Sequence, residues 1–195
     1  MANSHELSLI VSRARNRDID ALDILVDRYS ARLYGFLFRM TGHPEDAEDM
    51  VQEVFVRMVK SIARYEEDGR FEAWLFRIAA NLARDRGRRQ KRNPVVGSID
   101  EDSSETAGDH SEHRLGLAQS HQDPERRMTL TEDIVRLQTA LNRLPTEERE
   151  VVMLRHYTDM SFAEIADLMA SPLGTALARA HRGLAKLRKW MEPPA

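Results

Sequence analysis

Apolar residues recur every three or four positions in two separate parts of the chain, and this spacing is typical of amphipathic α-helices. In the N-terminal part the repeat covers three segments: 19–40, 44–62 and 71–82. In the C-terminal part it predicts helices that begin near four residues: Leu130, Thr146, Phe162 and Pro172. Gly42 and Pro44 are expected to end the first helix and begin the second. No strand-like alternation competes with these segments, so we expect an all-α fold.

Residues 94–127 separate the two helical parts. They are rich in Ser, Gly, Asp and His and lack aromatic residues, a composition that buries too little apolar surface to offset the entropy lost on folding. We therefore expect a flexible linker between a domain at 1–93 and a second domain at 128–195. We also expect the two small helical domains to move independently of each other in solution unless a partner clamps them.

Local start signals divide the C-terminal part into short helices. Thr146, followed by two acidic residues, predicts a capped helix start. Ser161 and Glu164 have the spacing of a capping box, and Ser171 followed by Pro172 predicts the cap and first residue of the last helix. Two helices joined by a turn of about three residues, the second of them basic, predict a helix-turn-helix.

The composition excludes several classes of protein. The 195 residues include no cysteine, which excludes disulfide scaffolds and cysteine-ligated zinc sites. The apolar runs are too short to span a membrane, and the N-terminus is too polar for a signal peptide, so we expect a cytoplasmic protein without membrane insertion. Because no phosphate-binding glycine loop, nucleophile motif or metal-spaced histidine pair occurs, we expect neither an enzyme nor a cofactor or metal site.

Charge is distributed unevenly, although the net charge is only −3. Basic residues dominate 84–92 and 179–189, whereas 100–112 contains six acidic residues and no Lys or Arg. Two basic segments joined by an acidic one indicate two separate contacts with an anionic partner, of which nucleic acid is the obvious candidate.

Three cations of the last helix share one face, because Arg179, Arg182 and Lys186 are spaced by three and four residues. Such a face suits the phosphates of duplex DNA. The small Gly174 and Thr175 at the start of the helix would allow that end of the helix to enter a major groove. The alternative is an ordinary helical hairpin with a solvated basic face.

A second polar face lies on the third N-terminal helix and consists of Arg77, Asn81, Arg84 and Arg88. It suits a nucleic-acid backbone, and the nearby Tyr65 could stack on an unpaired base. A solvated helix end is the alternative, because cations also favour the negative end of the helix dipole.

Acidic residues crowd the first turns of the second N-terminal helix, among them Asp46, Asp49 and Glu53. The positive end of the helix dipole accounts for most of them, and a partner-binding face is the functional interpretation.

Four motifs in order along the chain are similar to those of one protein family. They are DAEDMVQEVFVR, FEAWLFRIAANLARDRGRR, LNRLPTEEREVVMLR and SFAEIADLMASPLGTALARAHRGLAKLR. With them, 15–93 and 128–190 resemble the extracytoplasmic-function (ECF) subgroup of the sigma-70 family of bacterial RNA polymerase sigma factors. The resemblance implies a region 2-like bundle and a region 4-like helix-turn-helix, binding to core RNA polymerase and promoter DNA, and control by an anti-sigma factor. The alternatives are a stand-alone helix-turn-helix regulator and, less favoured, a nucleic-acid-modifying enzyme.

The resemblance also implies roles for residues at matching positions. It assigns core-polymerase binding to Asp46, Asp49, Gln52 and Glu53. It assigns recognition and melting of the minus-ten promoter element to Tyr65, Gly69, Phe71, Trp74, Arg77, Asn81, Arg84, Arg88 and Arg89. It assigns recognition of the minus-thirty-five element to Leu173, Gly174, Thr175, Arg179, Arg182 and Lys186.

The chain departs from the family pattern around the start of the last helix. Ala170 stands where the family usually has Gly, so we expect backbone strain if this residue takes a positive φ. Ala176, Leu177 and Ala178 stand where the family has Val, Lys and Ser, and the loss of Lys and Ser removes two polar contacts to DNA.

Overall fold

The computed structural model describes residues 2–66, 68–92 and 124–192. These ranges form eight α-helices and one 3₁₀ turn and contain no strand, which confirms the expected all-α fold there. In chain order the elements are α1 (Ala2–Arg15), α2 (Ile19–Thr41), α3 (Pro44–Ser61), the 3₁₀ turn (Ile62–Arg64), α4 (Phe71–Arg92), α5 (Pro124–Asn142), α6 (Thr146–Tyr157), α7 (Phe162–Leu168) and α8 (Leu173–Met191). None of these helices is both long enough and apolar enough to cross a membrane.

Helix α2 lies at the centre of the N-terminal domain and packs against α1, α3 and α4. Asp18 caps its start by accepting a hydrogen bond from the backbone N–H of Ala21 at 3.2 Å. Gly42 ends it with φ at 81° and donates its N–H to the Phe38 carbonyl at 2.7 Å. Pro44 then opens α3, where its missing N–H is not needed. The predicted boundary between the first two long helices is therefore confirmed.

The core of this domain is apolar and aromatic. Its fully buried side chains include Leu25, Tyr29, Leu33, Phe36, Leu37, Met50, Met58, Phe71, Leu75 and Phe76. Burial of each such apolar side chain contributes about 1.5–3 kcal/mol to folding. Helix α1 adds Ile10, Val11 and Ala14 to this core, although the apolar pattern does not predict it as an element. Its apolar repeat spans only about two turns, which is too short to identify a core-facing helix from the sequence.

Helices α5, α6 and α7 surround α8 in the C-terminal domain. The capping box of α7 is confirmed, because the Ser161 N–H donates to Glu164 at 2.8 Å and the Glu164 N–H donates to the Ser161 hydroxyl at 3.3 Å. The predicted caps at Thr146 and Ser171 are wrong. Pro145 and Pro172 occupy those cap positions, with φ of −52° and −59° and extended ψ of 140° and 146°. The fixed φ of proline directs the chain into the helix without a side-chain oxygen.

The link between α7 and α8 contains the strained residue expected from the sequence. Ala170 has a φ of 47°, and its N–H donates to the Asp167 carbonyl at 3.1 Å. The next N–H, of Ser171, donates to the Ala166 carbonyl at 2.9 Å. These bonds close the end of α7 only if Ala170 is left-handed, a conformation that costs an L-residue about 1–2 kcal/mol.

The two domains are in direct contact, which the expectation of a flexible linker did not predict. Helix α6 packs against α2 and α4, and the Arg149 guanidinium donates to the Met40 carbonyl at 2.8 Å. Residues 94–123 of the predicted linker lie outside the described residues, while α5 already begins at Pro124. Linker composition carries no information about complementary faces on the domains at its two ends, which is why the contact could not be foreseen.

Replacement of Ala170 by Gly is expected to stabilise the protein by about 0.5–1 kcal/mol. Glycine relieves a left-handed strain of about 1–2 kcal/mol but loses about 0.5–1 kcal/mol more conformational entropy on folding. The methyl group of Ala170 is exposed, so its removal leaves no cavity. Urea unfolding measures the change. Ala163→Gly, at an exposed helical position of α7, is the matched control and should lower stability by up to about 1 kcal/mol. Destabilisation by both changes would contradict the assignment of strain to Ala170.

Candidate functional site

Helix α3 presents a polar face to solvent. Asp49, Gln52 and Glu53 are exposed there, on the side opposite the buried Met50. Arg57 donates to Glu53 at 2.7 Å one turn further on, and this hydrogen bond lowers the pKa of the Glu53 carboxyl. The face is open to a partner.

Asp46 differs from the other residues predicted for this face. It is largely covered and forms an ion pair with Arg86 of α4, so it joins two helices of its own domain. A shallow groove between α2 and α3 lies beside the exposed face, and its lining includes Asp27, Tyr34, Glu48, Val51 and Gln52. Three of the four predicted polymerase contacts are therefore exposed together, next to a groove.

Helix α4 places its predicted DNA contacts along one side. Arg77, Asn81, Arg88 and Arg89 are exposed. Arg84, in the middle of this row, is turned toward the C-terminal domain, where its Nε and Nη2 donate to one oxygen of Glu150 at 2.9 and 2.5 Å. Only 2% of the Glu150 side chain is exposed. The exposed polar side of α4 is therefore continuous except at Arg84, whose guanidinium is bound by Glu150.

The aromatic residues before and at the start of α4 form a cluster. Ring centroids of Tyr65 and Trp74 are 4.9 Å apart, and Phe71 lies 5.7 and 5.5 Å from the two. Tyr65 is 7% and Phe71 is 1% exposed, and the Tyr65 hydroxyl donates to Asp68 at 3.0 Å. This burial leaves little of the Tyr65 ring available for the stacking on an unpaired base that the sequence suggested. Gly69, exposed with φ at 78°, shapes the loop beside them.

The start of α8 is slim and exposed, as the sequence predicts for a helix that enters a groove. Leu173 and Gly174 are exposed, and Thr175 and Arg179 are partly so. Leu177, not selected from the sequence, has 45% of its surface exposed. The position where the resemblance leads one to expect Lys therefore presents an apolar side chain to solvent.

The other two predicted cations of α8 have a structural partner. Glu148 of α6, with 8% of its side chain exposed, accepts hydrogen bonds from Lys186 at 2.9 Å and Arg182 at 3.2 Å. Burial by itself raises the pKa of Glu148, but these bonds and charges outweigh it and hold the pKa below the ordinary 4.5. Sequence reasoning treated Glu148 as a dipole-matching residue and did not consider Glu150, because neither partner lies within a helical turn.

Comparison with known proteins identifies the family. The Sigma-70 region 2 family matches residues 25–93, and Sigma-70, region 4 matches residues 134–187. The ECF RNA polymerase sigma factor SigW of Bacillus subtilis is 32% identical over 182 residues, 92% of this chain and 93% of SigW. CarQ of Myxococcus xanthus, an RNA polymerase sigma factor, is 35% identical over 179 residues, 92% of this chain and 94% of CarQ.

A solved structure agrees with the sequence relatives. CnrH, in complex with the cytosolic domain of CnrY, is 26% identical with a TM-score of 0.60, over 93% of this chain and 94% of CnrH. The chain belongs to the ECF family of RNA polymerase sigma factors. Within the part of the chain that the structure describes, no group of three or more His, Asp or Glu side chains is placed to hold a metal ion.

The substitution Glu148→Gln is expected to destabilise the C-terminal domain by about 1–2 kcal/mol at neutral pH, because charge-assisted hydrogen bonds from Arg182 and Lys186 are weakened. A carboxyl with a depressed pKa contributes stability above its unfolded pKa and loses it as the pH falls. The difference between wild type and variant should therefore shrink below pH 4.5. Urea unfolding across pH measures this. The neighbouring, exposed Glu147→Gln should stay within about 0.5 kcal/mol of wild type at every pH. A pH-independent difference for Glu148→Gln would contradict the ionic account.

Proposed function

We propose that this chain binds core RNA polymerase and directs it to specific promoters by reading two DNA elements, one with α4 and one with α8. The observation that supports this most directly is the pair of cationic helix faces in two domains of one sigma-family chain, with an exposed acidic face on α3 beside them. The chain itself performs no covalent chemistry. Its contribution is to position polymerase and to favour strand separation.

The face of α3 formed by Asp49, Gln52 and Glu53 is proposed to dock on the polymerase. Carboxylates on a rigid, exposed helix complement a basic surface and increase the rate of association. Asp46 is proposed to act indirectly, because its ion pair with Arg86 sets the angle between α3 and α4.

The side of α4 with Arg77, Asn81, Arg88 and Arg89 is proposed to follow the DNA backbone at the minus-ten element and to hold the separated strand. Asn81 combines an amide donor and acceptor and can recognise a base edge once that base is unpaired. The aromatic cluster of the buried Tyr65 and Phe71 with the partly buried Trp74 supports the loop at Gly69 rather than stacking directly on DNA.

The start of α8 is proposed to enter the major groove at the minus-thirty-five element, with Leu173, Gly174 and Thr175 nearest the bases and Arg179 on phosphate. Arg182 and Lys186 hold α8 on α6 through Glu148, while 54% and 39% of their side chains remain exposed. They can contact a phosphate from a fixed position, which reduces the entropy lost on binding.

A protein inhibitor is proposed as the further partner. The related CnrH was solved with the cytosolic domain of a second protein, CnrY. For this chain, an anti-sigma factor with acidic residues would complement the cationic sides of α4 and α8 and compete with DNA for both.

A stand-alone regulator is the alternative function, and an assay with core polymerase separates the two. Core enzyme and the chain together should select a discrete set of duplexes from a random pool and start transcripts on them, and neither should do so alone. Selection of the same duplexes without core enzyme, with no transcripts on its addition, would favour the regulator.

Charge reversal on α3 is expected to weaken binding to core polymerase by about tenfold or more. In the variant Asp49→Lys/Glu53→Lys both negative charges become positive, which opposes a basic docking surface. Because both residues are exposed, helicity measured by circular dichroism should not change. Asp23→Lys, an exposed charge reversal on α2, serves as the control and should bind as wild type does. Equal binding by the α3 variant and the control would overturn this interface.

Substitutions on α8 and α4 are expected to affect different steps. Arg179→Ala should weaken capture of the selected duplexes and reduce the salt dependence of binding by about one phosphate contact, whereas Arg179→Lys should keep it. Asn81→Ala should leave capture intact and decrease strand opening, measured by permanganate reactivity of unpaired thymines. Loss of duplex capture with Asn81→Ala to the same extent would contradict this division.

A further inference from the structure

Leucine side chains lie along an exposed side of α8. Leu173, Leu177 and Leu184 have 48%, 45% and 57% of their surface exposed. The residues that pack α8 onto its domain, among them Ala176 and Ala180, lie on another side of the helix. Apolar surface stabilises a fold only when it is buried, so the exposed part of each leucine contributes nothing to the core. Single exposed apolar residues are common on proteins, and position decides whether one of these leucines has a role.

Leu177 is set among very small residues near the start of α8. Gly174, one turn before it, is exposed, and a Cβ atom there would meet nothing within 4 Å. Ala178, directly after it, carries only a methyl group and is partly exposed. Because residues three and four apart are neighbours on a helix surface, Leu177 and Leu173 extend together beyond this flat stretch. A surface that approaches the start of α8 therefore contacts the Leu177 side chain.

The helix that carries this apolar position is cationic. The sequence of α8, LGTALARAHRGLAKLRKWM, contains no Asp or Glu. Arg179 and Arg182 follow Leu177 on the other flank of the open side, and both are at least partly exposed. An apolar protein surface would leave these guanidinium groups without a counter-charge. Duplex DNA supplies phosphates for the cations and base edges for the residues between them, so the occupant that fits this side of α8 is a major groove.

Thymine is the base that matches an apolar side chain in a major groove. It presents its C5-methyl group there, whereas the other three bases present hydrogen-bonding groups and no methyl group. Leu177 has neither a donor nor an acceptor on its side chain. Against guanine, adenine or cytosine it would remove polar atoms from water without pairing them, which is unfavourable. Against thymine it buries apolar surface on both partners.

We propose that Leu177 reads one thymine of the minus-thirty-five element through the C5-methyl group of that base. Leu177 is then a specificity-determining residue whose contact is apolar, while Arg179 contributes charge. The inference rests on the proposed function, because it requires α8 to lie in the major groove. Promoters of this chain carry a thymine at the base pair that faces the second turn of α8.

Removal of a single methyl group from the DNA tests this contact. The complex of core polymerase with the chain first selects duplexes from a random pool. Each thymine of the upstream selected element is then replaced, one at a time, by deoxyuridine, which lacks only the methyl group. One such replacement should weaken binding of the complex about fourfold, the effect expected for the burial of one methyl group. Competition against the unmodified duplex measures the change.

A double-mutant cycle between protein and DNA assigns the methyl group to Leu177. Leu177→Ala should bind the unmodified duplex at least about fourfold more weakly than wild type and should no longer distinguish thymine from uracil at this position. Leu177→Met keeps an apolar side chain of similar volume and should retain the distinction. Leu184→Ala removes another exposed leucine, about two turns further along α8, and is the matched control. It should distinguish the two bases as wild type does.

The substitution Leu177→Lys tests specificity separately from affinity. A lysine at this position donates hydrogen bonds to guanine O6 and N7 in the major groove. Selection from the random pool with this variant should therefore replace the thymine by guanine at the same position and leave the rest of the selected element unchanged. Because Leu177 is largely exposed, the helicity of each variant, measured by circular dichroism, should match that of wild type. Selection of the same thymine by Leu177→Lys would overturn the proposal.

The remaining contrary outcomes differ in what they overturn. If uracil has no effect at any upstream position, or the same effect in wild type and Leu177→Ala, the role of Leu177 is wrong while the proposed function stands. If Leu184→Ala and Leu177→Ala weaken binding equally and neither effect depends on the DNA methyl group, the leucines contact a protein partner instead. If the complex selects no duplexes at all, the proposed function fails and the thymine contact fails with it.

Discussion

A carboxylate taken out of water must be matched by cations or hydrogen-bond donors, since an unmatched buried charge destabilises a protein by several kcal/mol. Helix α6 carries two such carboxylates two residues apart, Glu148 and Glu150. Their separation along the helix turns them to different sides. Glu148 meets Arg182 and Lys186 of the DNA-reading helix, and Glu150 meets Arg84 of the other domain. The arrangement of α8 within its domain and of one domain on the other therefore both depend on α6.

The same cations serve structure and recognition. Arg182 and Lys186 are held by Glu148 but remain partly open to solvent, so they can approach a phosphate without losing their partner. Arg84 is different, because 22% of its side chain is exposed and its carboxylate partner belongs to another domain. Under the proposed function, Arg182 and Lys186 are preorganised for DNA, whereas Arg84 is engaged by a carboxylate of the other domain.

Much of the fold follows from local sequence, and much of the site does not. Helical spacing, Gly42 and Pro44 define the long helices, and the family pattern identifies Ala170 as the residue forced into a left-handed conformation. The pairing of Arg84 with Glu150 spans 66 residues and leaves no local signal. Burial of Tyr65 is likewise a consequence of packing. The caps predicted at Thr146 and Ser171 failed for a local reason, since the adjacent prolines, Pro145 before Thr146 and Pro172 after Ser171, supply the cap geometry.

Because α2 and α6 belong to one chain, the contact between the two domains is a first-order equilibrium. The fraction of molecules in which the domains pack on each other is then independent of how much protein the cell makes, unlike the occupancy of a separate protein partner, which depends on the concentrations of both molecules. Only a ligand that binds the separated domains more tightly than the packed ones could shift that fraction.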